Sequence, residues 1–341
     1  MVRVLLHCLL KLALAGVLLS PVARAEEPRA LPQHLRDTGL YVAGGSVHPD
    51  VLPFSPQYPL WSDGAVKRRW IWLPPGSSID ASQPDAWEFP RGTKLWKEFA
   101  HGRALETRYL ERGADGEWRF GSYVWNADGS DAVLAPAAGI RDLPAPSAPG
   151  AHYAIPSEGD CRACHEGAPV PVLGFSALQL SPDRDPLAPH ADQAAGLDLR
   201  ALVARGLLRN LAPQFLAHPP RIAAASPAER AALGYLHGNC GNCHNEEGPL
   251  AVLDMTLAQR VARPSPVLHS IVGVQSQFVP AGVPADAARI SPGHAAASVI
   301  AARMRSRDPI EQMPPLGTTA VDADALALLA RWIDGLGSTT N

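Results

Sequence analysis

What this sequence lacks most is spare cysteine. Five cysteines occur in 341 residues, and four of them fall in two pentapeptides of one form, CRACH (Cys161 to His165) and CGNCH (Cys240 to His244). The fifth, Cys8, lies in the N-terminal segment. A small scaffold stapled by disulfides is thereby excluded. A basic excess is missing too: the formal charge is −3, which argues against a general nucleic-acid binder, whose partner is a polyanion. Internal repeats beyond the paired pentapeptides and charged tails are also lacking.

The first 25 residues have the anatomy of a secretory signal: Arg3 near the start, the apolar run LLHCLLKLALAGVLL, and Ala23-Arg24-Ala25 before Glu26. Lys11 interrupts the apolar run, which suits a cleaved signal better than a membrane anchor. Cleavage after Ala25 predicts export to the periplasm and a mature chain that is not an integral membrane protein. It removes Cys8 together with Arg3, Lys11 and Arg24, so the remaining chain is more acidic still. Its length suits two or three domains.

In a helical turn, positions i, i+3 and i+4 share a face, so two thiols can flank one edge of a planar group while the imidazole points at its centre. Cys-x-x-Cys-His is the attachment signature of c-type haem, in which thiols add to the vinyl groups as thioethers and the histidine binds the iron. Two covalently bound haem c groups are therefore expected, one on Cys161 and Cys164 with His165, the other on Cys240 and Cys243 with His244. A zinc ribbon also uses two Cys-x-x-Cys pairs, but about 15–20 residues apart, and Cys164 and Cys240 are several times farther apart than that. A thioredoxin-like site wants one pair in a βαβ unit, which neither motif has around it.

The aromatic residues divide the chain. Seven of the eight tryptophans lie between Trp61 and Trp125, where the pattern alternates as in strands. In VKRRWIW, Val66, Arg68, Trp70 and Trp72 fall on one side, Lys67, Arg69 and Ile71 on the other. Segments 104–112 and 117–125 flank the hairpin signal Asp115-Gly116, and Asp128-Gly129 turns the chain toward Ala132-Val133-Leu134. Residues 26–135 thus read as a β-rich, Trp-rich domain of sandwich or barrel type, and the Pro/Ala/Gly-rich 136–150 as a linker. Residues 151–225 form a first haem region, in which 196–211 places Leu199, Val203, Leu207 and Leu211 at near-helical spacing. A helical domain over 226–341 opens with N-cap Ser226, Pro227 and Glu229 placed for a capping box, and its first helix runs into CGNCH. The last helix starts near Asp322 and shows Ala325, Leu328, Leu329, Trp332, Ile333 and Leu336 on one face, with Gly335 near its end. Gly234 offers room for these two helices to cross closely. A helix entering the motif, a loop region and an amphipathic terminal helix make the plan of a class I cytochrome c domain. The expected fold is multidomain α+β, with the β-rich domain followed by a mainly α-helical cytochrome region.

The second haem needs a distal ligand, and Met313 in QMPPLG is the candidate, held extended by two prolines just before the terminal helix. Met304 and Met255 read as core side chains. The carbonyl of Pro249 is placed to accept from the His244 ring. No methionine lies between His165 and Met255, and Pro156 prevents a long helix from leading into CRACH. His190, His218, His101, His152 and His237 are candidate sixth ligands for the first haem, and an open site is equally allowed. Trp61, Asp63, Lys67, Arg68 and Arg69 crowd charge and indole together. They read as core aromatics with cations on the wet face, the alternative being a cradle for haem propionates.

Taken together, YPLWSDGAVKRRWIWLP, WEFPRGTKLWKEF, ETRYL, YVWNADGSDA, CRACH, VLGFSALQL, NCGNCH and RMRSRDPIEQMPPLGT resemble a family of exported bacterial dihaem c-type cytochromes, in the same order over roughly residues 38–336. The likeness implies two haems at the two motifs, with Met313 at the distal position of the second. It leaves the reaction open. One departure is Gln179-Leu180-Ser181, where the family pattern continues Gln-Leu-Asn. WEFPRGTKLWKEF is also faintly similar to the β-rich cytochrome P460 proteins, which bind haem differently, so no residue carries over from them. The function expected is electron transfer between two redox proteins by Fe(III)/Fe(II) cycling. A dihaem peroxidase or oxidase with an open first haem is one alternative, and a haem-bearing module that docks a dehydrogenase is another.

Overall fold

Alternation in the Trp-rich region is resolved as a meander. The computed structural model describes residues 30–192 and 196–339; the segment read as a signal, with Cys8, lies outside them. Six strands, β1 (Leu52–Pro53), β2 (Val66–Trp72), β4 (Lys94–His101), β5 (Arg103–Arg112), β6 (Trp118–Trp125) and β7 (Ala132–Leu134), make one sheet in the order β1-β2-β4-β5-β6-β7, while β3 (Ile79–Asp80) lies outside it. Each neighbouring pair is antiparallel. Gly116 turns β5 into β6 with φ +95°, a conformation that the Asp-Gly pair supplies without strain.

Cross-strand register fixes what each face buries. Trp70, Trp96 and Tyr109 stand opposite one another in turn and pack with Tyr123, Leu35, Leu40 and Val51. One residue along, Ile71, Leu95, Leu110 and Phe120 align on the other face and pack with Phe54, Trp87, Phe89, Phe175 and Leu180. With both faces covered, the sheet is the middle layer. It is a single open sheet rather than a sandwich or barrel, because residues 31–51 and the chain beyond 170 supply the cover that a second sheet would otherwise provide.

The stretch 136–150 does more than connect. It carries β8 (Ile140–Pro144), which pairs with β9 (His152–Ile155), and it buries Ala145 and Ala148 against Phe99 and Leu105. α1 (Glu158–His165) follows with Ser157 as N-cap and a reciprocal capping box to Asp160, which the sequence reading had not foreseen. α2 (Leu199–Ala204) is shorter than the spacing of 196–211 suggested. Gly206, at φ +68°, ends it, and Leu208 turns into β10 (Leu208–Arg209), parallel to β3.

The remainder is mostly loop and turn, punctuated by helices rather than mainly helical as expected: α3 (Gln214–Ala217), α4 (Pro227–Asn239), α5 (Val267–Ile271), α6 (Val299–Arg305) and α7 (Ala323–Gly335). α4 starts at the expected Ser226 cap, which accepts from the Glu229 N–H, but the Glu229 carboxylate takes the Ala225 N–H and the Trp332 indole instead of closing the box. α7 buries Ala325, Leu328, Leu329, Trp332 and Ile333, as its pattern requires. From Leu31 on the chain is one compact unit. It is mixed α+β, and no helix among the described residues is long and apolar enough to cross a membrane.

Candidate functional site

The two pentapeptides meet. Cys161, Cys164 and His165 line the same cavity as Cys240, Cys243 and His244, a space of about 1170 Å³. Pockets for one drug-sized ligand run to roughly 300–1,000 Å³, so there is room for more than one such group. All four thiols are unpaired. The Cys243 thiol donates to the Ala163 carbonyl at 3.9 Å, next to Cys164; its influence holds the Cys164 thiol down to about 7, while Cys164 pushes Cys243 up. Burial pushes Cys161 up to about 11 and Cys240 to about 12. Among the described residues, no three His, Cys, Asp or Glu side chains are grouped to hold a metal ion. Haem needs no such group, since its porphyrin supplies four of the iron's ligands and the chain supplies thiols and an imidazole.

The contact between the motifs is built by small residues and one amide. Asn245, buried directly after CGNCH, donates to the Gly167 carbonyl at 2.8 Å and accepts from the Gly248 N–H at 2.7 Å. A Cβ on Gly248 would run into the Gly167 carbonyl, and one on Gly167 would press on the Asn242 carbonyl at 3.3 Å. Pro249 lies on this seam, beside Gly167. It is not the acceptor for His244, whose buried Nδ1 has no partner; the loop that holds Pro249 folds toward the first motif instead.

His165 is held differently. Its Nδ1–H donates to the Pro171 carbonyl at 2.5 Å, which leaves the lone pair of a neutral ring on Nε2. Its ring lies 5.1 Å from that of Phe120 on β6, and burial pushes its pKa down to about 4, so the ring is neutral.

Met313 lines the cavity. Its N–H donates to the Arg303 carbonyl at 3.0 Å, and the loop after it is pinned by Asp63, which accepts from the Thr319 N–H, the Thr319 hydroxyl and the Ala320 N–H, each at 2.9 Å. Asp63 thus has a placing role that sequence reasoning missed. Met304 is buried and Met255 partly so, both against the helical core.

Of the histidines proposed for the first haem, His190, His218 and His101 do not line the cavity. His190 is bound to the Asp322 carboxylate at 2.9 Å. His237 lines it, but its Nδ1 accepts from the Gln259 N–H at 3.1 Å. A neutral ring then carries its proton on Nε2 and has no lone pair there for iron. His152 lines it too, exposed and paired with Asp142.

The second motif is seated on the β-rich part. Tyr58 fills the space beside Gly234 and Gly238 of α4, so Gly234 makes room for Tyr58, while α4 and α7 pack together in the same core. Asn239 accepts from the Trp61 N–H at 2.7 Å, and Gln179 accepts from the Tyr58 N–H at 2.9 Å and donates to its carbonyl at 3.1 Å. Ser181, at the departure from the family pattern, is buried and accepts from the Asp183 N–H. Of the charged cluster, Arg68 faces solvent beside Glu98, but Trp61 is only partly buried and, with Arg69, lines the cavity instead of lying in the core or on a wet face. Comparison of the chain with protein-family models, with curated proteins and with solved structures gives no match.

Proposed function

We propose that the chain is an exported, periplasmic dihaem c-type cytochrome that passes electrons between a donor and an acceptor protein. Cys161 and Cys164 hold one haem with His165 on its iron, and Cys240 and Cys243 hold the other with His244 and Met313. When bound, each haem supplies a one-electron Fe(III)/Fe(II) couple. The observation that carries this reading is the meeting of both pentapeptides, remote in sequence, on one cavity, with the Cys243 thiol on the Ala163 carbonyl beside Cys164. Covalent edges anchored side by side favour transfer from one centre to the next.

The residues then divide the work. His165 is oriented by Pro171. His244 is held in the turn where its N–H donates to the Cys240 carbonyl at 2.9 Å. Asp63 presents Met313, whose thioether raises the potential of the second centre relative to a second imidazole. Electrons therefore run from the first centre to the second; a potentiometric titration that finds the second centre lower would reverse that direction. The whole reading is tested by the mass and pyridine haemochrome of the exported protein: two added haems are expected, and a mass equal to the bare polypeptide rules it out.

A second reading, a peroxidase or oxidase with an open first haem, is favoured by one observation: the two other candidate histidines that line the cavity, His237 and His152, are otherwise engaged. A ferric spectrum that shifts with cyanide or peroxide supports the enzyme, and two fully low-spin centres support the carrier.

A further inference from the structure

Three cations stand in a row across the sheet. Arg69 on β2 is opposite Lys97 on β4, and Lys97 is opposite Arg108 on β5. They share the face of Ile71, Leu95 and Leu110, and all three line the cavity. Like charges directly opposite destabilise a sheet, and half-buried charges without a counter-charge cost more. The face supplies only one carboxylate at contact distance: Glu106, fully buried, accepts from Arg108 at 2.9 and 3.1 Å and from the Tyr153 hydroxyl at 2.7 Å. Among the described residues, neither Lys97 nor Arg69 has an acidic partner at ion-pair distance. Lys97 has the Phe99 ring, 4.9 Å away, and Arg69 feels the field of Asp192. Burial and the neighbouring cations hold the Lys97 ammonium well below its ordinary range, and burial brings Arg69 to about 10. Neither basic group thus has a carboxylate against it on the wall, and the fields of Lys97 and Arg108 reach both His165 and Cys164.

We propose that Arg69, Lys97 and Arg108 form an anion site in the cavity wall beside the first motif, taking carboxylate or small oxyanion groups. In one form the anion is a haem propionate, and that form rests on the dihaem reading. In the other it is a free ion from solution. A planar guanidinium at each end and an ammonium between them suit a two-oxygen acceptor, and the anion removes the repulsion along the row.

The experiment uses the exported protein. Mass and haemochrome are read first, so that absence of haem, which ends the dihaem reading, is separated from failure of the anion site. Sulfate is then titrated into the native chain and into Lys97→Met, Arg69→Met and Lys97→Arg, following the melting temperature, and the potentials of both centres are measured. Saturable sulfate binding, weakened about tenfold or more in Lys97→Met and kept in Lys97→Arg, supports the free-ion form. No sulfate binding, with a lower potential of one centre in Lys97→Met and Arg69→Met and the native value in Lys97→Arg, supports the propionate form, because a nearby positive charge favours the reduced iron. Neither response overturns the site. Should the methionine variants fail to fold, native crystals grown from sulfate decide: a propionate or sulfate oxygen on both Lys97 and Arg69 supports it, and water alone overturns it.

Discussion

CRACH sits on a sheet and CGNCH in a helical bundle, and their histidines are supported in opposite ways. His165 has its Nδ1 on a carbonyl and its ring against Phe120. His244 has a buried Nδ1 with no partner. The first motif ends an eight-residue helix; the second follows a thirteen-residue helix with ten buried residues. The same pentapeptide is thus given ring orientation by hydrogen bonding at one site and by packing at the other. What the proposed reading gives the second in addition is the thioether of Met313.

The sharpest way to break this comparison is to remove one member. Cys161→Ala with Cys164→Ala should lower the haemochrome of the exported protein by about half, and Cys240→Ala with Cys243→Ala should do the same. Each double variant should keep the spectrum of the other site. If one double substitution abolishes both signals, the motifs are not independent anchors.

Gly238→Val comes next. Its side chain would meet the Tyr58 backbone, which cannot move without releasing the Gln179 clamp. Destabilisation at the top of the overpacking range, about 3 kcal/mol, is expected from the shift in urea midpoint, with the second centre perturbed first.

Much of this was readable in advance because it is local. The alternation of VKRRWIW fixed which side chains share a face, Asp115-Gly116 fixed a hairpin, and the 3.6-residue stripe from Ala325 to Ile333 fixed the buried face of α7. The pairs Cys161/Cys164 and Cys240/Cys243 needed no structure to be seen. Contacts across long separations were not readable. Nothing in NCGNCHNEEGP says that Asn245 reaches Gly167, and nothing around Gly234 says that Tyr58 takes its space. The row of Arg69, Lys97 and Arg108 exists only once register is known. Leu207 and Leu211 misled, because apolar spacing continued past Gly206, where the backbone leaves the helix.

Met313→Ala sharpens the contrast between the two centres. The potential of the second should fall and its low-spin spectrum should change, while the first keeps both. Asp63→Asn should act in the same direction and more weakly, since it loosens the loop after Met313 and leaves the sulfur in place.

The smallest effect concerns the caps. Ser157 Oγ accepts from the Asp160 N–H at 3.1 Å, and the Asp160 carboxylate accepts from the Ser157 N–H at 2.9 Å. A helix as short as α1 is not stable by propensity alone, and none of its residues is fully buried. The cap therefore carries a large share of what keeps Cys161 and His165 on one turn. Ser157→Ala should cost about 1 kcal/mol and raise amide exchange over 158–165. Ser226→Ala removes a bond of similar length, to the Glu229 N–H at 3.1 Å, from a helix clamped by Tyr58 and α7. Its global cost should be similar, but exchange at CGNCH should stay near native. Equal loosening of both motifs would mean that packing holds neither one, and the contrast between sheet and bundle would fail.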